Sequence, residues 1–275
     1  MKEDKIQELR NSFETAFING AIASNLAYKP QFVSNNYKQG KKVLSSIEDE
    51  LLACEQFQIS VAFITMGGIT PLLQTLKELE KRKIKGEILT TNYLYFSEPK
   101  ALEKLNELSN ITLKMYDVEA AVDGFHTKGY IFKKEEIYRI IIGSSNMTRT
   151  ALTSNHEWNT RVVSTENGEI AQNILEEYKE LWNSKYSLNY GEFYENYKER
   201  YNIIKKQRQI AKSEEIPSVE KYRLQPNSMQ VGFIVNLKKI IEAGERRALL
   251  ISATGERDII VTSRKNTVKS RVLAA

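Results

Sequence analysis

The sequence is poor in the residues that build metal sites and disulfides. It has one cysteine, Cys54, and two histidines, His126 and His156, among 275 residues. A single thiol cannot form an internal disulfide, and zinc sites that need several cysteines or histidines cannot be assembled. We therefore expect no metal and no cofactor, and a buried structural thiol at Cys54. Any catalytic histidine must be one of the two present.

The sequence also lacks a long apolar run. No stretch approaches the ~20 residues needed to span a bilayer. The opening residues, MKEDKIQELR, place charges where a signal peptide has an apolar segment. We expect a cytoplasmic chain with no membrane partner. The excess of one charge sign is small too, since 40 Lys and Arg against 35 Asp and Glu give +5, which suits a polyanionic partner without requiring one.

What the sequence does have is an alternation of strand-like and helix-like apolar patterns. This alternation predicts an α/β fold with a largely buried, mixed sheet flanked by helices. Strands are predicted at about 57–64, 86–91, 111–116, 128–132, 137–142 and 158–163, and helices at 69–82, 99–108 and 170–182. The predicted segments are an N-terminal helical extension at 1–44, the α/β domain at 45–185, a helical linker with a basic end at 186–218, and a remainder at 219–275.

Two basic side chains, His126 and Lys128, stand at the start of a predicted strand. Side chains alternate along a strand, so both point to the same face. The next apolar strand ends in a turn of small polar residues, Gly143-Ser144-Ser145-Asn146, where backbone and short side chains can approach a ligand closely. Ammonium, hydroxyl and amide groups around an imidazole suit a phosphate oxyanion. This set favours covalent attack by histidine on phosphorus.

Together with Glu157, eleven residues after Asn146, this pattern resembles the active-site motif of the phospholipase D superfamily in its nuclease branch. The resemblance covers about 45–185 and implies a two-layer or sandwiched mixed sheet flanked by helices. It also implies that His126 is the nucleophile that forms a phosphohistidine, and that Lys128 and Asn146 hold the phosphate oxygens. Ser144 would support that pocket, and Glu157 would orient the imidazole.

The chain departs from the broader family pattern, His-x-Lys-x-x-x-x-Asp, because Lys133 stands where the Asp is expected. This departure disfavours a lipid-hydrolysing enzyme more than a nuclease. The superfamily also uses two such motifs per active site, and this chain has one His-x-Lys. We therefore expect a homodimer joined through the active-site face, with one His126 attacking and the other protonating the leaving group. His156 could serve as a second acid, although a local structural or surface role is favoured.

A C-terminal stretch resembles the opening of a superfamily-two (DEAD/DEAH-type) helicase. The resemblance lies in Leu224 to Gln230, with its Gln, and in Arg247 to Gly255, which ends in Ala-Thr-Gly. The phosphate-binding Gly-Lys-Thr that should follow is missing, so no ATP hydrolysis is expected. We interpret 219–275 as the truncated start of a helicase domain, with an unstructured tail from 256 to 275.

The leading hypothesis is a metal-independent DNA phosphodiesterase, with RNA as the alternative substrate and a restriction or defence nuclease as the setting. The first rival is a non-catalytic module that targets a helicase to DNA. The second is a phospholipid hydrolase or transferase. Retention of a nucleophile together with its carboxylate argues against the binding module, and the absence of an amphipathic membrane anchor argues against the lipid enzyme.

Overall fold

The computed structural model describes residues 3–121, 123–213, 236, 239–240, 242–244, 259–264 and 267–272, without the side chains of residues 37, 210–213, 259–264 and 267–272. The chain divides into two units, residues 1–211 and residues 212–275. The first unit contains the predicted α/β domain.

The helices and strands follow the predicted alternation closely. The helices are α1 (Glu3–Phe17), α2 (Val43–Ala53), α3 (Met66–Ile69), α4 (Leu73–Lys81), α5 (Pro99–Asn106), α6 (Arg149–Thr153), α7 (Glu169–Asn183) and α8 (Tyr190–Ser213). The strands are β1 (Gln31–Val33), β2 (Gln56–Val61), β3 (Lys85–Thr91), β4 (Ile111–Tyr116), β5 (Lys128–Lys134), β6 (Ile137–Gly143), β7 (Asn159–Thr165) and β8 (Ser187–Asn189).

Among the described residues, these eight strands form one mixed sheet in the order β1-β7-β6-β5-β2-β3-β4-β8. The pairs β2–β3 and β3–β4 are parallel, and the other neighbours are antiparallel. The parallel strands are joined through helices, as crossovers between parallel strands require. The predicted fold class, a mixed sheet flanked by helices, is confirmed.

Both faces of the sheet are covered, because successive side chains on a strand point to opposite faces. Ile88, Tyr130 and Ile141 pack with residues of α2, α4, α5 and α8 in one cluster. Their neighbours Leu89, Ile131 and Ile140 pack with Ala171 and Tyr178 of α7 in another. The sheet is thus sandwiched between helices, which is one of the two arrangements that the sequence predicts.

The structure differs from the predicted elements in several places. The helix predicted at 69–82 is divided into α3, a tight turn at Thr70–Leu72 and α4, because Pro71 has no N–H for a continuous helix. The three-residue strands β1 and β8 are too short to show a period. The helix α8, expected within a basic linker, instead buries Phe193, Tyr194 and Tyr197 in the main core. The predicted segment boundaries stay predictions.

In the second unit, residues 259–264 (β9) and 267–272 (β10) pair as an antiparallel hairpin. The sequence predicts an unstructured tail there. The β-branched residues Ile259, Ile260 and Val261 favour a strand and account for the difference. The helicase-like stretches 224–230 and 247–255 lie outside the described residues. In the described part of the chain, no helix combines the length and apolarity needed to cross a bilayer.

Candidate functional site

The predicted site residues gather at one end of the sheet. Lys128 begins β5 and pairs with Val61, the last residue of β2. Gly143 ends β6 and pairs with Asn159, the first residue of β7. The loops that carry His126, the small-residue turn and Glu157 therefore emerge at the end of the sheet where β2 stops. Short antiparallel connections hold them in register.

His126 lies in the extended segment that leads into β5, and its side chain is exposed. Its neighbours anchor the segment: Phe125 is buried and packs on Tyr116 with ring centroids 5.5 Å apart, and the Thr127 hydroxyl meets that of Ser60 at 2.5 Å. Within the described residues the imidazole makes no side-chain hydrogen bond. The backbone at His126 is thus fixed while its ring stays open to a ligand.

Lys128 is half-buried and lies against the same segment. Its Nζ donates a hydrogen bond of 2.9 Å to the carbonyl of His126. Burial lowers the pKa of Lys128, and the nearby carboxylate of Glu157 raises it and so offsets part of that effect. The ammonium group therefore bonds the backbone of His126 within the electrostatic influence of a carboxylate, with donors left to bind an anion.

The turn after β6 is built by close backbone contact with the start of β7. A Cβ at Gly143 would lie 2.2 Å from the carbonyl oxygen of Trp158, so only glycine permits this approach. The Ser144 amide donates to that same oxygen at 3.1 Å. In return, the Ser144 hydroxyl accepts from the Trp158 amide at 3.1 Å and donates to the Glu157 carboxylate.

Asn146 has a fixed amide orientation. Its Oδ1 accepts a hydrogen bond of 3.1 Å from the backbone amide of Phe63, and the adjacent Met147 exchanges backbone hydrogen bonds with Phe63 and Thr65. Within the described residues its Nδ2 has no partner. An amide NH₂ with two free donors suits a phosphate oxygen.

Glu157 is buried, with 8% of its surface exposed. It bonds Ser144 and acts electrostatically on Lys128 and on Tyr130, whose pKa is raised mainly by burial and further by this carboxylate. The sequence predicts that Glu157 orients His126, but in the described structure these side chains share no hydrogen bond. The structure thus bonds Glu157 directly to Ser144, while Glu157 acts on Lys128 only electrostatically, and Lys128 bonds the backbone of His126. His156 is exposed, next to Glu157.

Comparison with known proteins gives this site a context. The family model described as "Cardiolipin synthase, PLD-like domain" matches residues 50–182. Residues 50–182 form a phospholipase D-like domain. No curated protein matches the sequence. The phospholipase D-like domain supports an enzyme of the phosphodiesterase type.

Several solved structures are similar to this chain at low sequence identity. NucT from Helicobacter pylori has a TM-score of 0.46 and 16% identity, and the match covers 58% of this chain and 98% of that chain. Nuc from Salmonella typhimurium, a phospholipase D family member, has a TM-score of 0.45 and 17% identity, and the match covers 59% and 99% of the two chains. Phosphatidylserine synthase from Haemophilus influenzae has a TM-score of 0.45 and 14% identity, with coverage of 66% and 45%.

A group of aromatic rings beside the site of the phospholipase D-like domain was not predicted from the sequence. Tyr93 and Phe96, in the loop after β3, are 41% and 43% exposed. Phe63, after β2, stacks on Tyr93 with centroids 6.3 Å apart and meets Phe96 edge-on at 5.1 Å. Tyr93 also meets the His126 imidazole edge-on at 6.4 Å. The signal available in the sequence was the aromatic run Tyr-Leu-Tyr-Phe at 93–96, directly after a strand.

The backbone of this aromatic loop is strained. Leu94 and Tyr95 have φ of 52° and 49°, a left-handed conformation that costs a non-glycine residue about 1–2 kcal/mol. Contacts from α8 hold the loop: Arg200 bonds the Tyr95 hydroxyl at 3.1 Å, and Arg208 bonds the Leu94 carbonyl at 2.5 Å. Contacts with the surrounding structure must compensate for this strain energy, as is common at ligand sites.

An apolar cleft of about 450 Å³ borders His126 and Lys128, between β5, β6 and α7. Its apolar wall includes Ile142, Ile174 and Leu181. The hydroxyl of Tyr178, also in the wall, is buried and has no hydrogen-bond partner in the structure. In the described part of the chain, no group of three or more His, Cys, Asp or Glu is placed to hold a metal ion.

Proposed function

We propose that this chain is a nuclease that cleaves DNA through a phosphohistidine intermediate, without a metal ion, in an active site completed by a homodimer. The proposal is carried by the exposed imidazole of His126, the Lys128 ammonium that bonds the His126 carbonyl, and the fixed amide of Asn146 at the same end of the sheet. A nucleophile and two donors for phosphate oxygens converge at one end of the sheet. The family match supports the same type of chemistry.

In the first step, a neutral imidazole nitrogen of His126 attacks phosphorus, and a P–N bond forms. The bond from phosphorus to the leaving nucleoside oxygen breaks, and that oxygen takes a proton from a second, protonated imidazole. Lys128 and Asn146 stabilise the added negative charge on the phosphate oxygens in the transition state. Glu157 raises the pKa of Lys128 and so favours its charged form.

In the second step, water replaces the histidine. The second imidazole, now neutral, takes a proton from the water as its oxygen forms a bond to phosphorus. The P–N bond breaks and returns its electron pair to His126. Both imidazoles then have their starting protonation states, and the products are a phosphate monoester and a free hydroxyl.

The second imidazole is assigned to the partner's His126 in a two-fold symmetric dimer. The open position of His126 leaves room for a second copy. A pair of exposed aromatic rings near the site supports such an interface: Trp158, next to Glu157, is 75% exposed, and Phe32, edge-on to it at 5.9 Å, is 63% exposed. Large aromatic side chains are enriched in interface cores. Trp158→Ala should therefore shift the dimer towards monomer in sedimentation analysis.

The proposal is tested by cleavage of plasmid and single-stranded DNA in excess EDTA. The wild type should cleave, and His126→Ala should not. Lys128→Ala and Asn146→Ala should each lose on the order of a hundredfold in rate. His156→Ala is the control for the alternative acid and should cleave like the wild type. Unchanged cleavage by His126→Ala, or its loss in His156→Ala, would overturn the assignment.

A phosphatidyl hydrolase or transferase is the second candidate. The family description favours it, and the cleft lined by Ile142, Ile174 and Leu181 offers an apolar surface beside the nucleophile. Vesicles of phosphatidylglycerol give the decisive arm of the same assay. Turnover of this lipid without cleavage of DNA would replace the nuclease by the lipid enzyme.

A further inference from the structure

We propose that Phe63, Tyr93 and Phe96 form a stacking platform that binds an unpaired base of single-stranded DNA next to the scissile phosphate. This inference rests on the proposed nuclease function and names its preferred substrate. The platform is defined here as these three rings. Nothing in the catalytic scheme uses them.

The position of the platform is the first argument. The Tyr93 ring lies 6.4 Å from the His126 ring, so a nucleotide whose phosphate meets His126 carries its base within reach of Tyr93. The same chain segment links the platform to the phosphate site, since the Phe63 amide holds Oδ1 of Asn146. A base seated on the platform would thus be in register with the groups that bind its phosphate.

Exposure and charge are the second argument. Aromatic rings of this size are usually buried, yet Tyr93 and Phe96 keep more than a third of their surface open. The guanidinium of Arg208 lies over the Phe96 ring at 4.3 Å, and Lys205 and Lys206 are exposed on the same helix. Aromatic rings interleaved with cations are the arrangement by which proteins bind single strands without sequence preference.

The rigidity of the loop is the third argument. Tyr93 precedes two residues held in the left-handed region, and Arg208 clamps the carbonyl of Leu94. The rings are therefore presented in a fixed orientation before a ligand arrives, which reduces the entropy lost on binding. Bases inside a duplex already stack on one another, so the platform should discriminate in favour of unpaired strands.

The test is equilibrium binding at one fixed salt concentration, because phosphate contacts vary with salt. The parent protein is His126→Gln, which removes the nucleophile but keeps a planar side chain beside Tyr93. The probes are a labelled single-stranded oligonucleotide, an abasic strand with the same number of phosphates, and a duplex. Tyr93→Leu is added to the parent to remove the ring. Tyr93→Phe keeps the ring, and Phe17→Leu removes another exposed ring, on α1.

Tyr93→Leu should weaken binding of the single strand about tenfold, the effect of losing one base–aromatic stack. Tyr93→Phe and Phe17→Leu should stay within about twofold of the parent. The abasic strand should bind the parent about tenfold more weakly than the normal strand and should be insensitive to Tyr93→Leu, as should the duplex. 2-Aminopurine in the bound strand should lose fluorescence only when the Tyr93 ring is present, which reports stacking independently of affinity.

Equal affinity of the parent for normal and abasic strands would overturn the platform while leaving the nuclease proposal intact. So would equal losses on both strands in Tyr93→Leu, because that variant would then have damaged the phosphate site. If the parent binds none of the three probes, the nuclease proposal itself fails and the platform fails with it. Thermal unfolding of each variant separates these results from loss of the fold.

Discussion

Replacing Asn159 with alanine should destabilise the phospholipase D-like domain and disable its site together. Asn159 is 3% exposed and connects β1, β7 and the turn after β6. Its Oδ1 accepts from the Ser145 amide at 3.2 Å, and its Nδ2 donates to the Val33 carbonyl at 3.2 Å and to the Ser145 hydroxyl at 2.9 Å.

The loss of stability can be estimated from the buried polar groups that Asn159→Ala leaves without their hydrogen-bond partner. Alanine removes the Asn159 side chain that bonds the Ser145 amide and the Val33 carbonyl. Each buried group left without this partner costs about 1–3 kcal/mol. The free energy of unfolding should therefore fall by about 2–6 kcal/mol, towards the low end if water enters the space. Because Ser145 lies between Ser144 and Asn146, loss of its anchor should also disturb the site. The cleavage rate should therefore fall by more than the increase in unfolded protein accounts for.

The assay is urea unfolding followed by circular dichroism, with the slope m compared between variants to confirm that the same surface unfolds. Asn155→Ala is the matched control, since its side chain is exposed and bonds nothing in the described structure. That control should change stability by less than about 0.5 kcal/mol. A loss for Asn159→Ala as small as that of the control would refute the reasoning.

Three further predictions concern charge, backbone contact and the single thiol. Glu157→Gln removes the carboxylate that raises the pKa of Lys128, so the ammonium should lose its proton at lower pH. The alkaline limb of the pH–rate profile should therefore shift to lower pH. An unchanged alkaline limb would contradict this electrostatic interaction. Gly143→Ala places a Cβ 2.2 Å from the carbonyl oxygen of Trp158. This substitution should lower the free energy of unfolding by about 1–3 kcal/mol in the same urea assay. An unchanged free energy of unfolding would show that the turn can relax. Burial raises the pKa of Cys54 to about 11, so this thiol should not react with a disulfide reagent at pH 8 in the native protein. In urea, one thiol per chain should react. Labelling of the native protein would show that the core opens.

Strong local patterns explain how much of the fold could be predicted from the sequence. The strand at 111–116 was predicted with the bounds that the structure has, because its apolar pattern is bounded by turn signals. The edge strands β1 and β8 were missed because three residues carry no usable period. The burial of α8 was missed because a run of tyrosines among charges fits a solvated helix as well as a packed one.

The site was only partly predictable, for a physical reason that differs between its two halves. His126, Lys128 and the turn with Asn146 lie on neighbouring antiparallel strands, so their proximity follows from short chain connections. The platform depends on Phe63 and Tyr93, which are far apart in the sequence. They meet because β2 and β3 are parallel neighbours that end at the same edge, a pairing that residue patterns do not specify.

The account depends most directly on a covalent bond between His126 and phosphate. Labelled DNA should be mixed with the wild type in excess EDTA, quenched within one turnover at alkaline pH, where phosphohistidine survives, and digested for mass spectrometry. The account predicts a nucleotide adduct on the peptide that contains His126, formed and lost at rates that match turnover and absent from His126→Ala. Cleavage by the wild type with the adduct on another residue, or with no adduct at any time, would contradict it.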